Sequence, residues 1–263
     1  MRRNDRPGRA VIDLHCHILP GLDDGPRNWD EALAMARLAD ADGVQLIVAT
    51  PHCNLDATCP SPAQIRDLTA QLNQLLETNG LRLRVVPGAE ARATTGLVEA
   101  VEAGRVLTLG DRGRFLLVEL PPSGQPLFAA ELFFRLRLVG VTPVIAHAER
   151  YDFFRSAPGA LQELADRLYP IQVNAGSLLG REGWRIRRSA RDLVRRGLAT
   201  IVASDGHNAT DRKPVLAAVE RALRLSREAF AQLAFEHPLA LLRQKAGPAA
   251  TSGSGKKAGE GRH

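Results

Sequence analysis

The sequence predicts an α/β fold, a distorted seven-stranded barrel of alternating strands and helices. Short apolar segments alternate with amphipathic segments at helical spacing, as in parallel strands that are joined by helices. The chain has 263 residues, which is close to the usual length of an α/β barrel. Polar residues directly follow the apolar segments, and barrel enzymes place their chemistry at that end of the strands. An open, doubly wound sheet is the alternative.

The first predicted strand, residues 11–14, ends in two histidines two residues apart. His15 and His17 should project to the same side of the strand, where one metal ion could contact both. Asp24 follows a Pro-Gly turn, so its loop could fold back over the same place. Surface histidines at this spacing also arise by chance, so this pair alone indicates a metal site only weakly.

Six further strands are predicted, and each delivers a polar side chain at its carboxyl end. Five of the seven histidines stand at or after the end of an apolar run, which random placement would not favour. The predicted strands are 45–50 before His52, 81–87 before Glu90, 114–118 before Glu119, 142–146 before His147, 171–173 before Asn174, and 199–203 before Asp205 and His207.

Amphipathic segments separate these strands. The first has Asn28 as a candidate N-cap and Gly43 as its stop, and the second ends at Asn79-Gly80. The last is predicted as one long helical stretch. The predicted helices are 29–41, 61–79, 95–103, 127–139, 159–168, 183–196 and 213–235.

The predicted organisation is one catalytic domain, 11–246, between an N-terminal extension, 1–10, and a tail, 247–263. The tail consists largely of glycine, serine, lysine and alanine without apolar periodicity, so we expect it to be disordered. The net charge of +6 and the isoelectric point near 9.8 would suit a nucleic-acid partner. The arginines are scattered through amphipathic segments, however, so no nucleic-acid partner is expected.

The three cysteines, Cys16, Cys53 and Cys59, are too few and too clustered to predict a disulfide framework. Cys16 alternates away from the flanking histidines and is expected to be a buried packing residue. The N-terminus lacks the apolar segment of a signal peptide, and no apolar run reaches the ~18 residues of a membrane span. We therefore expect a cytoplasmic protein without membrane insertion. The sequence leaves open whether it forms a homo-oligomer.

Together the strand ends offer nine nitrogen and oxygen ligands, more than one ion needs. Two or three ions sharing carboxylates would use them, and mixed imidazole and carboxylate donors favour Mn²⁺, with Fe or Zn²⁺ as alternatives. Such a cluster suits hydrolysis of a phosphate ester, because metal ions activate water and neutralise phosphoryl oxygens. The candidate ligands are His15, His17, Asp24, His52, Glu90, Glu119, His147, Asp205 and His207.

Several motifs resemble the polymerase-and-histidinol-phosphatase (PHP) superfamily, over residues 10 to 235. The details resemble its bacterial capsule and exopolysaccharide branch, whose members are manganese-dependent protein-tyrosine phosphatases. The motifs are His15-x-His17, Ile18-Leu19-Pro20-Gly21-Leu22-Asp23-Asp24-Gly25, Ala49-Thr50-Pro51-His52, Gly88-Ala89-Glu90, Val118-Glu119-Leu120-Pro121, His147-Ala148-Glu149-Arg150-Tyr151, Asn174-Ala175-Gly176-Ser177 and Ser204-Asp205-Gly206-His207-Asn208.

The resemblance implies a PHP-type barrel with a three-metal site on the nine candidate ligands, and Glu90 as a bridge. It also implies that Arg150 and Arg212 bind the substrate phosphate, although either could simply pair with Glu149 or Asp211 at the surface. A metal-activated hydroxide would hydrolyse phosphotyrosine without a phosphoenzyme, and His207 or Asp205 could act as general acid. The implied partner is a tyrosine autokinase of polysaccharide synthesis.

Other functions stay open at this point. A small-molecule phosphoesterase such as histidinol phosphatase could use the same cluster, and so could a nuclease. A regulatory module with a dead site is less consistent with nine intact ligands. A cysteine-dependent phosphatase is excluded, because that chemistry needs an arginine six positions after the nucleophilic cysteine, and none of the three cysteines has one.

Overall fold

The computed structural model describes residues 10–121 and 126–245, and strands and helices alternate through both ranges. The predicted tail, 247–263, and residues 1–9 of the predicted extension lie outside the described residues. All seven predicted strands are present, and two of them continue beyond a break as the short strands β3 and β5. The strands are β1 (Val11–Cys16), β2 (Val44–Ala49), β3 (His52–Cys53), β4 (Arg84–Pro87), β5 (Glu90–Arg92), β6 (Phe115–Glu119), β7 (Thr142–Ile145), β8 (Gln172–Asn174) and β9 (Ile201–Ala203).

Every ladder between these strands is parallel, which confirms the α/β class. The ladders form three sheets, in the orders β1-β2-β4, β3-β5-β6-β7 and β8-β9. Single bridges outside these ladders join Cys16 at the end of β1 to Gly206 and Ile145 at the end of β7 to Ile171. The prediction of one seven-stranded barrel is not confirmed, because no closed barrel forms within the described ranges.

The interruptions have a local cause in the sequence. Pro51 separates β2 from β3, and Pro87 ends β4; a proline has no N–H to continue a ladder. At Gly88 a side chain would lie 2.7 Å from a methyl group of Val48, so the backbone can pass there only as glycine. Beyond the breaks, His52 and Glu90 are paired in register between β3 and β5.

The first helix begins as predicted, since the Asn28 side chain accepts a hydrogen bond from the Glu31 N–H. Gly43 ends that helix in the left-handed region. Short 3₁₀ turns occur at Leu109–Asp111 and Ala148–Arg150. The helices are α1 (Trp29–Asp42), α2 (Pro62–Thr78), α3 (Leu97–Glu102), α4 (Pro126–Leu138), α5 (Asp152–Ser156), α6 (Pro158–Asp166), α7 (Ala175–Leu179), α8 (Trp184–Arg195), α9 (Ala218–Leu223), α10 (Arg227–Ala231) and α11 (His237–Arg243).

The prediction of one long helix over 213–235 is wrong. Arg224 adopts a left-handed conformation (φ 52°) and ends α9, and Ser226 then caps α10 by accepting from the Ala229 N–H. A π-helical segment, Gln232–Glu236, joins α10 to α11. The apolar spacing continues across these breaks, so periodicity alone could not reveal them.

The core has two parts, on the two faces of the sheets. Along β6, Leu117 joins a smaller cluster with Val144, whereas Leu116 and Val118 join a larger one beneath the helices. Both faces of a parallel strand are therefore buried, as its continuous apolar sequence predicts. Leu242 of α11 packs into the smaller cluster. No helix in the described ranges is long and apolar enough to cross a membrane.

The cysteines differ from the expectation in one respect. Cys53 and Cys59 form a disulfide, which closes a short loop immediately after His52. The sequence predicted no disulfide framework, and the bond that does form joins two residues six positions apart and closes one local loop. Cys16 is free and fully buried, as predicted.

Candidate metal centre and phosphate site

The nine candidate ligands, although spread over almost two hundred residues of sequence, come together at the carboxyl ends of the strands. They fall into three adjacent groups, and the ligand atoms of each group lie within 4.8 Å of one another. The groups are His15, His17 and Asp205; Glu90, Glu119 and His147; and His17, Asp24, His52 and His207.

The first group is buried at the end of β1. The Nε2 atoms of His15 and His17 lie 3.1 Å apart, and Asp205 Oδ1 is 3.4 Å from that of His15. The Nδ1 atoms instead face oxygens, Gln172 Oε1 at 3.2 Å and Asp23 Oδ2 at 2.7 Å. Nδ1 is therefore the protonated nitrogen when each ring is neutral, and two Nε2 lone pairs face each other. A cation between them would remove their repulsion.

Glu90 lies at the centre of the cluster and is 1 % exposed. Its Oε1 is 2.9 Å from His147 Nε2, and its Oε2 is 2.8 Å from His52 Nδ1. Burial opposes its negative charge, but His15 and His147 outweigh burial and hold the pKa of Glu90 well below its usual range. Glu119 is more distant, with Oε1 3.9 Å from His147 Nε2.

The third group is the most open. Asp24 Oδ1 lies 3.4 Å from His52 Nε2 and 3.2 Å from His207 Nε2. His207 Nε2 is buried yet makes no hydrogen bond of acceptable geometry within the described residues, and neither does Glu90 Oε2. Buried polar atoms without a partner are rare, and both belong to candidate ligands.

The pKa values of neighbouring histidines diverge within the cluster. Burial opposes the charge on His17, but the hydrogen bond with Asp23 and the nearby negative charge of Glu90 outweigh burial and raise the pKa of His17 to about 10. Burial and the adjacent His17, whose ring stacks at 3.8 Å, lower the pKa of His207 to about 3. Buried carboxylates and converging lone pairs require positive charge, which divalent cations supply with the ligand types that the cluster offers. The residues therefore fit a metal centre.

Two arginines border the cluster. Arg150 places Nε 2.6 Å from Glu182 Oε2 and NH1 2.9 Å from Asp205 Oδ2. Arg212 places NH1 3.3 Å from Asp24 Oδ2 and NH2 3.1 Å from Asp205 Oδ2. Neither guanidinium pairs with the carboxylate of Glu149 or Asp211, the surface partners that the sequence had left open.

The sequence did not assign roles to the buried polar residues behind the ligands. Asp23 accepts from the His52 backbone N–H at 2.9 Å as well as from His17, so one carboxylate fixes residues of two groups. The Gln172 side chain bridges His15 and the backbone N–H of His147, and Asn174 donates to Asp205 Oδ2 at 2.8 Å. For Gln172 and Asn174 the signal in the sequence is a polar residue inside or directly after an apolar strand.

The backbone is also specialised here. His147 and Asp205 have positive φ angles of 29° and 52°, a strained conformation for residues with a side chain. At Gly25 a side chain would collide with the backbone oxygen of His17, and at Gly206 it would lie 2.9 Å from Pro214. These glycines let the loops that carry Asp24 and His207 pack closely.

Two clefts open beside the cluster. The first, called here the cationic cleft, has a volume of about 590 Å³ and is lined among others by Arg150, Arg181, Arg212 and Lys213. The second, called here the disulfide cleft, has about 300 Å³ and is lined among others by His52, Cys53, Glu90 and Glu119. Both volumes are in the range of small-molecule sites.

Comparison with known proteins places these features in a family. The tyrosine-protein phosphatase YwqE of Bacillus subtilis is 37% identical over 202 residues, 77% of this chain and 79% of that protein. CpsB of Streptococcus pneumoniae, also a tyrosine-protein phosphatase, is 29% identical over 211 residues, 78% and 86% of the two chains.

The fold gives the same result. A chain from the crystal structures of YwqE and CpsB, described as unique metal-dependent tyrosine phosphatases, superimposes with a TM-score of 0.83 at 34% identity, over 90% of this chain and 96% of that one. The model of the family "Capsular polysaccharide synthesis, CpsB/CapC" matches residues 11–243. The chain therefore belongs to the CpsB/CapC family.

Proposed function

We propose that this chain is a metal-dependent protein-tyrosine phosphatase. The observation that carries this proposal is the pair Arg150 and Arg212, which converge on Asp205 beside three candidate metal groups at the edge of an open cleft. Two guanidinium groups suit the oxygens of a phosphoryl group. The names of the relatives support tyrosine phosphate as the substrate.

The nine candidate ligands would hold two or three ions, with Glu90 as a bridge, and Mn²⁺ is the proposed metal because the donors are imidazoles and carboxylates without thiolate. When bound, the ions supply an activated water and neutralise the phosphoryl oxygens. Asp23 and Gln172 orient His17 and His15, so that their Nε2 lone pairs point into the cluster that would hold the ions.

Arg150 and Arg212 would bind the phosphate by exchanging part of their contact with Asp205 for phosphoryl oxygens. Glu182 holds Arg150 from the outer side at 2.6 Å, and Ser177 Oγ donates to the same carboxylate at 2.8 Å. The guanidinium of Arg150 is thereby fixed in orientation before substrate arrives. Electrostatic stabilisation is most effective when the donors are preorganised in this way.

A general-acid role for Asp205 or His207 is disfavoured. Burial opposes the charge on Asp205, but His15 and His17 outweigh it and keep its pKa below the usual range, and the pKa of His207 is about 3. Both would be deprotonated at neutral pH, in the form that binds metal. A tyrosine leaving group, with a pKa near 10, needs little protonation.

The proposed substrate is a tyrosine autokinase of capsule or exopolysaccharide synthesis. The cytoplasm stays the predicted compartment. Because Cys53 and Cys59 form a disulfide, however, the cysteines no longer support a reducing compartment. The proposed catalytic domain is 11–246. We further propose that the three sheets together form a distorted seven-stranded barrel of the PHP type, joined where the two isolated bridges lie.

The test is initial-rate hydrolysis by metal-stripped protein resupplied with Mn²⁺, Fe²⁺ or Zn²⁺. The substrates are a phosphotyrosine peptide, a phosphoserine peptide, histidinol phosphate and single-stranded DNA, and His52→Ala is the blank. We expect the phosphotyrosine peptide to react fastest, with Mn²⁺, and the variant to lose this activity. Faster hydrolysis of histidinol phosphate or DNA would assign the cluster to the corresponding alternative. No turnover with any metal would refute an enzyme function.

A further inference from the structure

The cationic cleft contains two cations that the proposed chemistry does not use. Arg181 follows α7, Lys213 follows Arg212 directly, and both side chains line the cleft together with Arg150. Arg181 and Lys213 differ from Arg150 and Arg212 in how their positive charge is compensated.

Arg150 and Arg212 are neutralised by carboxylates. Arg150 contacts Glu182 and Asp205 at 2.6 and 2.9 Å, and Arg212 contacts Asp24 and Asp205 at 3.3 and 3.1 Å. A phosphate that binds these arginines therefore exchanges one negative partner for another.

Arg181 and Lys213 have no such partner. Arg181 donates only to the backbone oxygen of Asp211, at 3.4 Å, and the Lys213 ammonium makes no hydrogen bond or ion pair in the described part of the chain. The Asp211 carboxylate also lines the cleft, but it accepts from Thr210 Oγ1 at 3.4 Å and contacts neither cation. Two positive charges that line the cleft thus have no paired carboxylate among the described residues.

The opposite side of the cluster offers fewer cations. The disulfide cleft presents the carboxylates of Glu90 and Glu119 and a single cation, Arg92. Bound ions would offset the charges of Glu90 and Glu119, so the disulfide cleft would offer an acidic substrate residue only Arg92, whereas the cationic cleft offers it Arg181 and Lys213. The cationic cleft, at about 590 Å³, is also the larger of the two.

We propose that Arg181 and Lys213 are specificity-determining residues, which select phosphotyrosines that are flanked by acidic residues. This inference rests on the proposed function and adds the substrate class. Exposed ion pairs are individually weak, so the two together should favour an acidic over a neutral peptide by about fivefold in kcat/KM. The preference should shrink as salt rises, because exposed charges are screened.

The test uses the Mn²⁺-loaded full chain and two peptides with the same central phosphotyrosine, one flanked on both sides by glutamates and the other by glutamines. The measured quantity is the ratio of their kcat/KM values, at low and at high salt. The variants are Arg181→Gln, Lys213→Gln and the double change. Arg188→Gln removes an equivalent charge from an exposed position on α8, outside the cleft, and is the matched control.

We expect the wild-type ratio to be about five and to fall towards one in the double variant, while Arg188→Gln keeps the wild-type ratio. A wild-type ratio near one, or a ratio that survives the double change, would overturn the specificity proposal and leave the phosphatase function intact. If neither peptide is hydrolysed while p-nitrophenyl phosphate is, the proposed protein phosphatase function fails, and this inference fails with it.

Discussion

The two clefts beside the ligand cluster differ in what holds their walls together. The wall of the cationic cleft consists of loops joined by side-chain ion pairs, such as Arg150 with Glu182 and Arg212 with Asp24. The wall of the disulfide cleft is fixed by the Cys53–Cys59 bond and by the ladder between β3 and β5. The ion pairs of the cationic cleft can be exchanged for contacts with a ligand. The covalent bond and the backbone hydrogen bonds of the disulfide cleft cannot.

This difference indicates a division of roles. Ion pairs can be replaced by phosphoryl oxygens at little net cost, so the cationic cleft is suited to receive substrate. A covalent bond and backbone hydrogen bonds hold His52 and Glu90 still, which suits residues that must keep a metal geometry. Changes at the shared cluster should therefore abolish activity. Changes in the wall of the cationic cleft should weaken substrate binding. Changes in the wall of the disulfide cleft should affect stability.

Replacing Glu90 by glutamine should have the largest effect. The change removes the charge that contacts His147 and His52 at 2.9 and 2.8 Å, while the shape of the side chain is nearly kept. We expect kcat/KM for a phosphotyrosine peptide to fall by about 1,000-fold or more, or about 4 kcal/mol. Metal content, measured by mass spectrometry, should fall as well.

Glu163→Gln is the matched control, because this exposed residue pairs, among the described residues, only with Arg167 on a helix surface. It should leave both activity and metal content unchanged. If the Glu90→Gln protein keeps its metal and more than a tenth of its activity, Glu90 is not the bridge of the cluster.

Replacing Arg150 by lysine tests whether the wall of the cationic cleft binds the phosphate. Lysine keeps the charge but loses the planar fork that contacts Glu182 and Asp205 together. We expect kcat/KM to fall by about 100-fold, the usual effect of losing one transition-state donor. Arg185→Lys, on exposed α8, should change it by less than about twofold. An Arg150→Lys enzyme with near-normal kcat/KM would make Arg150 a structural residue.

The sequence predicted the strands well because each is a short apolar run that ends in a polar residue. Eight of the nine candidate ligands followed from those ends, and Asp24 followed from its Pro-Gly turn. It could not show that Pro51 and Gly88 divide two strands, since a break of two residues leaves the apolar pattern intact. Asp23 was beyond reach for another reason. Two adjacent aspartates look alike in sequence, and only the fold turns one towards His17 and the other towards His207.

Asp13 lies beneath the cationic cleft, fully buried, and accepts hydrogen bonds from Ser204 N–H at 2.9 Å and Ser204 Oγ at 2.5 Å. Burial outweighs these bonds and raises the pKa of Asp13 from 3.8 to about 6. The folded state therefore binds this proton more tightly than the unfolded chain does. The stability that results is present below pH 3.8 and is lost as the pH rises through 6.

Asp13→Asn should remove that loss, because asparagine does not ionise. Between pH 4 and pH 7 the variant should gain about 2 kcal/mol in free energy of unfolding relative to wild type. The free energy of unfolding of both proteins is measured by urea unfolding at matched metal content. In the difference between the two values, the contributions of the ionisable groups that they share cancel. A difference that does not change with pH would mean that the pKa of Asp13 is the same in the folded and the unfolded protein, and that burial does not raise it.

Replacing Cys59 by serine should have the smallest effect on catalysis and a moderate one on stability. Opening the short loop restores chain entropy to the unfolded state, so the free energy of unfolding should fall by about 2 kcal/mol. His52 is still held by the Asp23 carboxylate and by its ladder to Glu90, so kcat/KM should fall by less than about threefold.

Urea unfolding with and without a thiol reductant is the measurement. Wild type should match the variant in reductant, because the bond is then absent from both. A tenfold loss of activity on reduction would instead show that the disulfide itself positions His52. Both the disulfide cleft and the cationic cleft would then be required for catalysis.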